Sequence, residues 1–145
     1  MAFSRILVAV DGSESSDNVF DIAAQLSKLS GSKLYVIHVA MPPYIGGFDY
    51  YDASTIERLQ QDFEERGKRL LAKYSTVAEK KYNITTETIL AQGSPPEAIL
   101  REATSKVADL IVVGSKGFSG VKHFFIGSVP NSVLHHAKIP VLLVK

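Results

Sequence analysis

Two short stretches carry the residue types that bind anions. Asp11 and Gly12 close the first apolar run of the chain, and Gly114, Gly117, Gly127 and Ser128 frame the loop that follows ADLIVV. That loop, GSKGFSGVKHFFIGS over residues 114–128, holds four glycines, two lysines and three serines before a segment with helical spacing. Glycine permits positive φ and lets the main chain approach a ligand closely. Successive N–H groups in such turns form an anion-binding concavity. Gly127 and Ser128 fall where a helix starts, and there free N–H groups and the helix dipole favour negative charge. Pro130 just inside that helix supports the placement of the start. Strand, glycine turn, loop and helix N-terminus are the parts of a phosphate cradle. The spacing is not that of a Walker loop, since Ser119 follows Gly114 by five residues, and no G-x-G-x-x-G occurs.

Other candidates are weaker. Asp11 reads either as a turn residue before a helix or as an acidic group beside the cradle. Lys116 and Lys122 read either as solvated loop lysines or as mobile phosphate contacts. Tyr44, Phe48, Tyr50 and Tyr51 lie in a loop over 41–54 and either pack beneath it or cover a ligand. The histidines make no metal site: His135 and His136 are adjacent on a helix and diverge, and His38 alternates with Val36 in a strand as a core or face residue. His123 lies in the glycine loop. No serine sits in G-x-S-x-G. The third strand ends ILAQG, without the aspartate that a phosphoacceptor site needs there.

These residues need a scaffold. RILVAV (5–10) is apolar on both faces and reads as a buried strand. A helix follows, with Ser13 as N-cap, an apolar stripe of Val19, Ile22, Ala23, Leu26 and Leu29, and Gly31 as its stop. KLYVIHVA (33–40) is the second strand. A long helix spans Thr55 to Lys81, lined by Ile56, Leu59, Phe63, Leu70, Tyr74 and Val77. Gly67 inside it costs about 1 kcal/mol against alanine, which points to a close helix–sheet contact. NITTETILA (83–91) is the third strand, and Ser94 with Glu97 has capping-box spacing around Pro95. DLIVVG (109–114), a helix over Ser128–His136 and PVLLVK (140–145) complete the chain. Alternating β and α elements predict an α/β fold, an open parallel sheet with helices on both faces, in a single domain over 1–145. The first and fourth strands are the most apolar, so they belong at the centre. Their carboxyl ends carry Asp11 and the glycine loop, the edge where open α/β sheets bind ligands.

Composition bounds the partners. Hydrophobic residues are 46% and charged residues 21%, as in ordinary globular domains, and the absence of cysteine excludes disulfides and thiolate metal sites. A net charge of +1 without a basic run argues against nucleic acid. No apolar run reaches the roughly 20 residues of a membrane span. The N-terminus is a poor signal peptide and a good first strand, so a cytoplasmic protein is expected.

The spacing G-x2-G-x9-G-[ST], with RILVAVDGS, LYVIHV and ADLIVVGSKG…GSVPNSVLHHAKIPVLLV around it, resembles the nucleotide-binding signature of the universal stress protein family, over the whole chain. The resemblance implies a five-stranded, Rossmann-like parallel sheet of order 3-2-1-4-5. It implies bound ATP or AMP, with Mg2+ or Mn2+ accompanying the nucleotide. By position, Asp11 meets the adenosine end and the backbone of Val39 borders the adenine. Gly114 and Gly117 lie by the ribose and phosphates, and Gly127, Ser128 and Val129 hold the phosphates. Pro130 departs from the pattern by removing an N–H near the phosphates. The resemblance further implies a stress-response module that reports nucleotide status to a protein partner. It forms a homodimer through the last strand, Val141, Leu142, Leu143 and Val144. A slow ATPase or nucleotidyl-transfer enzyme is the alternative. Hydrolysis would need a base near the γ-phosphate, and only Asp11 and His123 offer themselves. No catalytic residue is therefore assigned, and at most weak ATP hydrolysis is expected. A nucleotide-free interaction domain is a third reading, against which the intact glycine motif argues.

Overall fold

The computed structural model of the chain describes residues 3–40, 52–116 and 126–145. Five strands form one parallel sheet in the order β3-β2-β1-β4-β5. They are β1 (Arg5–Ala9), β2 (Lys33–Ala40), β3 (Thr86–Gln92), β4 (Leu110–Gly114) and β5 (Val141–Val144). The helices are α1 (Glu14–Ser30), α2 (Ala53–Val77), α3 (Pro95–Ser105) and α4 (Ser128–His136). The expected order is thus the observed one, and β5 is an edge strand.

β1 is central because both of its faces are apolar. Ile6, Leu7 and Val8 are fully buried. Ile6 and Val8 join a core with α1 and α2, whereas Leu7 faces a second core with Ile99, Ile111 and Val133. Chain direction across the sheet reverses between β1 and β4. β1 leads outward through β2 to β3, and β4 begins on the other side. That is the switch point at which a crevice opens beyond the carboxyl ends.

Several local expectations need correction. α1 starts and stops at Ser13 and Gly31 as read, but Leu29 is 85% exposed. The buried face instead includes Phe20, half a turn away from Leu29, whose ring lies 4.7 Å from that of Tyr74. Such a pair adds about 0.5–1.5 kcal/mol to area burial. α2 begins earlier, because the Asp52 carboxylate accepts from the Thr55 amide at 2.8 Å and caps it. It does not run unbroken to Lys81: residues Ala78–Tyr82 form a π-turn ended by Asn83 in the left-handed region. That wider turn brings Tyr82 to donate to Asp21 at 2.7 Å, eight residues after Tyr74 donates to Asp17 at 2.6 Å. Asp17 and Asp21 lie one turn apart on α1, so the π-turn keeps the two tyrosines in step with them. It also consumes Asn83 and Ile84, and β3 starts at Thr86 rather than at Asn83. Ser94 is the N-cap of α3 but makes no side-chain capping bond. Pro96 at the second helical position removes one of the two amides that a capping hydroxyl reaches.

Gly67 has the close contact its cost implied. A Cβ there would stand 2.5 Å from Leu90 Cδ1 and 3.0 Å from His38 Cδ2. α2 therefore rests on the ends of β2 and β3 at backbone distance.

Candidate functional site

β1 ends in a short turn built by its own side chains. Gly12 has φ +86, a conformation that L side chains rarely adopt, so the chain reverses there only with glycine. The Asp11 carboxylate accepts from the Ser13 amide at 2.9 Å and from the Ser13 hydroxyl at 2.6 Å, both on Oδ1. Ser13 is thus the N-cap position of α1 while its hydroxyl is turned back to Asp11. The Asp11 N–H donates to the buried Ser16 Oγ at 2.8 Å. Asp11 is therefore both of the things its sequence allowed, a turn-forming residue and a carboxylate at the crevice.

β4 ends beside it. The Ser115 amide donates to the Val144 carbonyl at 2.8 Å, and the Ser115 carbonyl accepts from the Gly127 amide at 2.8 Å. This bond hangs the start of α4 directly on the end of β4. Gly127 is the N-cap of α4, with φ −59 and ψ 161. The first intrahelical bond runs from the Asn131 amide to the Gly127 carbonyl at 3.0 Å. The amides of Ser128 and Val129 precede it and have no intrahelical acceptor, and Pro130 has no N–H to offer. The donors at this helix end without an intrahelical acceptor are those of Ser128 and Val129, and the Gly127 amide is taken up by Ser115.

Asp11, Gly114 and Val129 line one crevice between the two strand ends, with Val10, Ser15 and Pro130. Its free volume is ≈ 30 Å³, the scale of a water site, so it is a notch rather than an enclosed pocket for a larger molecule. Val39 is buried at the end of β2 and does not line the notch. Ser128 is exposed at the head of α4. Gly117, Lys122, His123 and the aromatic residues Tyr44, Phe48, Tyr50 and Tyr51 lie outside the described residues. Of the two reasons expected for the glycines of the motif, positive φ does not apply at the two described ones: Gly127 adopts φ −59, and Gly114 lacks positive φ but packs closely, since a Cβ would stand 3.0 Å from Val19 Cγ2 on α1.

Two contributors escaped sequence reading. Ser16 holds the Asp11 amide, and His38 Nδ1 contacts the Val10 carbonyl at 2.8 Å. Neither has a side-chain signal, because each pairs with a main-chain group, five residues back for Ser16 and 28 residues away for His38. Among the described residues no group of three or more His, Asp or Glu side chains is placed to hold a metal ion. None of the described helices is long and apolar enough to cross a membrane.

Comparison with known proteins agrees with this architecture. The sequence profile described as the Universal stress protein family matches residues 2–145. Universal stress protein YxiE of Bacillus subtilis is 34% identical, with 99% of both chains covered. A universal stress protein crystallised in complex with cAMP is 27% identical, with 99% of this chain and 98% of that chain covered and a TM-score of 0.70. One from Archaeoglobus fulgidus in complex with dAMP is 25% identical over 100% of both chains, also with a TM-score of 0.70. By the profile match over residues 2–145 and the identity to its relatives, with a sheet order that agrees, this chain belongs to the universal stress protein family.

Proposed function

We propose that the protein binds an adenine nucleotide, ATP or AMP, across the crevice between β1 and β4, and that it works as a single-domain stress-response module in the cytoplasm. The observation that carries this reading is the meeting of Asp11, Gly114 and Val129 in one notch, at the head of a helix whose Ser128 and Val129 amides have no intrahelical acceptor. The relatives crystallised with cAMP and dAMP support the adenine nucleotide class.

In this reading the chain grips the ligand from two sides. Asp11 uses Oδ1 for Ser13 and presents Oδ2 to a ribose hydroxyl. The backbone at Val39 borders the base, and the main chain at Gly114 and Gly117 runs beside the ribose and phosphates. The amides of Ser128 and Val129 and the Ser128 hydroxyl receive phosphate oxygens, aided by the positive end of α4. A divalent ion, Mg2+ or Mn2+, would be held by phosphate oxygens and water, because the described residues build no cage of their own.

Occupancy of the site is read out by a protein partner, with the protein acting as a homodimer. β5 is an edge strand paired only with β4, and Val141, Leu142 and Leu143 are half-exposed on it. An apolar edge with unpaired main-chain groups is closed by a second copy about a two-fold axis.

The test is mass analysis of the small molecule released when the purified protein is denatured, with calorimetric titration of ATP and AMP into the stripped protein. An adenine nucleotide in the first and saturable binding in the second are expected. A flavin in the first, or no heat in the second, overturns the reading. Light scattering of Leu142→Lys, expected to be monomeric beside a dimeric parent, tests the assembly.

A further inference from the structure

The hydrogen-bonded register of β1 on β2 ends at the pair Ala9 and Ile37. Val10 lies beyond it and is 1% exposed. Its N–H still reaches the Ile37 carbonyl at 3.0 Å, but its own carbonyl is left without a strand partner on a residue that is almost wholly buried. A buried carbonyl needs a donor. His38 supplies it, with Nδ1 at 2.8 Å. A carbonyl can only accept, so the ring carries a proton on Nδ1 in this contact.

The Val10 carbonyl and the Asp11 N–H belong to the same peptide group. That group is planar, and it is held on one side by His38 Nδ1 at 2.8 Å and on the other by Ser16 Oγ at 2.8 Å. Two bonds on opposite edges of one plane fix its rotation, and its rotation sets the direction in which the Asp11 carboxylate leaves the main chain. The ring has no freedom to follow a loosened turn either. The Gly67 backbone lies over it, at a distance that would put a Cβ 3.0 Å from His38 Cδ2. The same α2 helix touches the turn a second time, since Leu70 Cδ2 stands 3.6 Å from where a Cβ of Gly12 would be.

We infer that His38 is a positioning residue of the nucleotide site: clamped beneath Gly67, it holds the Val10–Asp11 peptide so that the Asp11 carboxylate faces the crevice. The inference rests on the nucleotide reading above and adds a residue that touches no ligand. It also makes α2 a support of the site, through Gly67 and Leu70, although α2 contributes nothing to the crevice lining.

Three substitutions test it. Asparagine places an amide nitrogen where Nδ1 stands, glutamine places one where Nε2 stands, and leucine places none. Titration calorimetry with ATP and AMP is expected to show His38→Asn within about threefold of the parent, and His38→Gln and His38→Leu weaker by about tenfold or more, the equivalent of one lost hydrogen bond. Hydrogen exchange of the nucleotide-free protein is expected to rise at the Asp11 amide in the glutamine and leucine variants and to stay at the parent level in the asparagine variant. If the parent binds neither nucleotide, the nucleotide reading falls and takes this one with it. If the parent binds and His38→Leu binds equally well, or if His38→Asn exchanges and binds as poorly as His38→Gln, only the positioning role is overturned. Should the leucine variant not fold, the asparagine–glutamine contrast decides alone.

Discussion

At the end of β1 the turn is tied to the protein: the Val10 carbonyl to His38, the Asp11 amide to Ser16, and the Asp11 carboxylate to Ser13. At the end of β4 the ties stop short. The Gly127 amide is bound to Ser115, and the next two amides, of Ser128 and Val129, have no intrahelical acceptor. One half of the crevice is made of side chains that satisfy each other before any ligand arrives. The other offers main-chain donors that have no intrahelical acceptor. The difference assigns the two halves different work. The β1 half sets shape and direction, and its contribution is already part of folding. On the proposed reading the β4 half supplies binding energy, and its contribution appears only with an anion in place. Substitutions in the first should therefore register in the empty protein, and substitutions in the second chiefly in the loaded one.

The largest expected effect breaks the β4 half. Gly127 has φ −59 and ψ 161, which any L residue adopts, but valine is a poorer N-cap than glycine, so Gly127→Val should cost the nucleotide-free protein no more than about 1 kcal/mol. The parent at a hundred times its dissociation constant should gain about 2.7 kcal/mol from the ligand, and the variant should gain nothing. Differential scanning calorimetry with and without ATP measures both numbers. A full ligand shift in Gly127→Val would mean that the anion does not approach here.

The converse experiment breaks the β1 half. Ser16 is 4% exposed and its hydroxyl is the acceptor for the Asp11 amide. Ser16→Ala leaves that amide unpaired beside the core and should cost about 1–3 kcal/mol in the empty protein, read from urea denaturation at constant m-value. If Ser16→Ala is as stable as the parent, the turn is not the pre-formed half of the site.

The same contrast explains what could be read before the fold was known. α1, β2 and α4 match their expected bounds because their signals are local: a Ser13 cap, a Gly31 stop, a buried apolar run, a glycine before a proline-bearing first turn. The central place of β1 and β4 followed from their being apolar on both faces, whereas the full order of the sheet came only with the family resemblance. Asp11, Gly114 and Val129, singled out by motif, do share one crevice. What stayed hidden is mostly non-local. Ser16 and His38 act on main-chain atoms, and no side-chain pattern announces a main-chain partner 28 residues away, as for His38 and Val10. The π-turn answers to the spacing of Asp17 and Asp21 on another helix, so the sequence of α2 shows only an unbroken helix. Leu29 and Phe20 both fit a helical stripe, and the sheet decides which one is buried.

A smaller effect sharpens the β1 half from behind. Tyr74 is 2% exposed and donates to Asp17 at 2.6 Å, and Lys73 Nζ lies 3.4 Å from the same carboxylate oxygen. Burial, with the Asp17 hydrogen bond second, pushes the Tyr74 phenol above the usual tyrosine range. Burial and Asp21 raise Tyr82 in the same direction. A raised phenol pKa favours the protonated form in the folded state. This stabilisation is therefore complete below the ordinary tyrosine pKa of about 10 and is lost as pH climbs beyond it. Tyr74→Phe should cost about 1 kcal/mol at pH 7 and should flatten the alkaline fall in stability, with ATP affinity at pH 7 unchanged. An equal alkaline fall in the variant would remove Tyr74 as its source.

The smallest effect lies at the far end of the sheet and serves as the control for the comparison. Gly12 and Val107 both have positive φ, at +86 and +54. At the crevice edge the position is glycine. At the opposite edge it is a β-branched residue, 70% exposed, in the turn that ends α3. That turn is closed by the Val107 amide on the Thr104 carbonyl at 3.1 Å and the Ala108 amide on the Ala103 carbonyl at 2.9 Å, the Schellman arrangement in which glycine is usual. The left-handed conformation costs an L residue about 1–2 kcal/mol, and glycine returns part of that gain through the entropy of its unfolded chain. Val107→Gly should therefore stabilise by about 0.5–1 kcal/mol, a rise of about 1–4 °C in melting temperature for a domain of this size. Because β4 separates this turn from the crevice, nucleotide affinity should stay the same. A change in affinity would show that strain at this edge is felt at the other, and that the two halves of the crevice are not the only parts of the chain that set it.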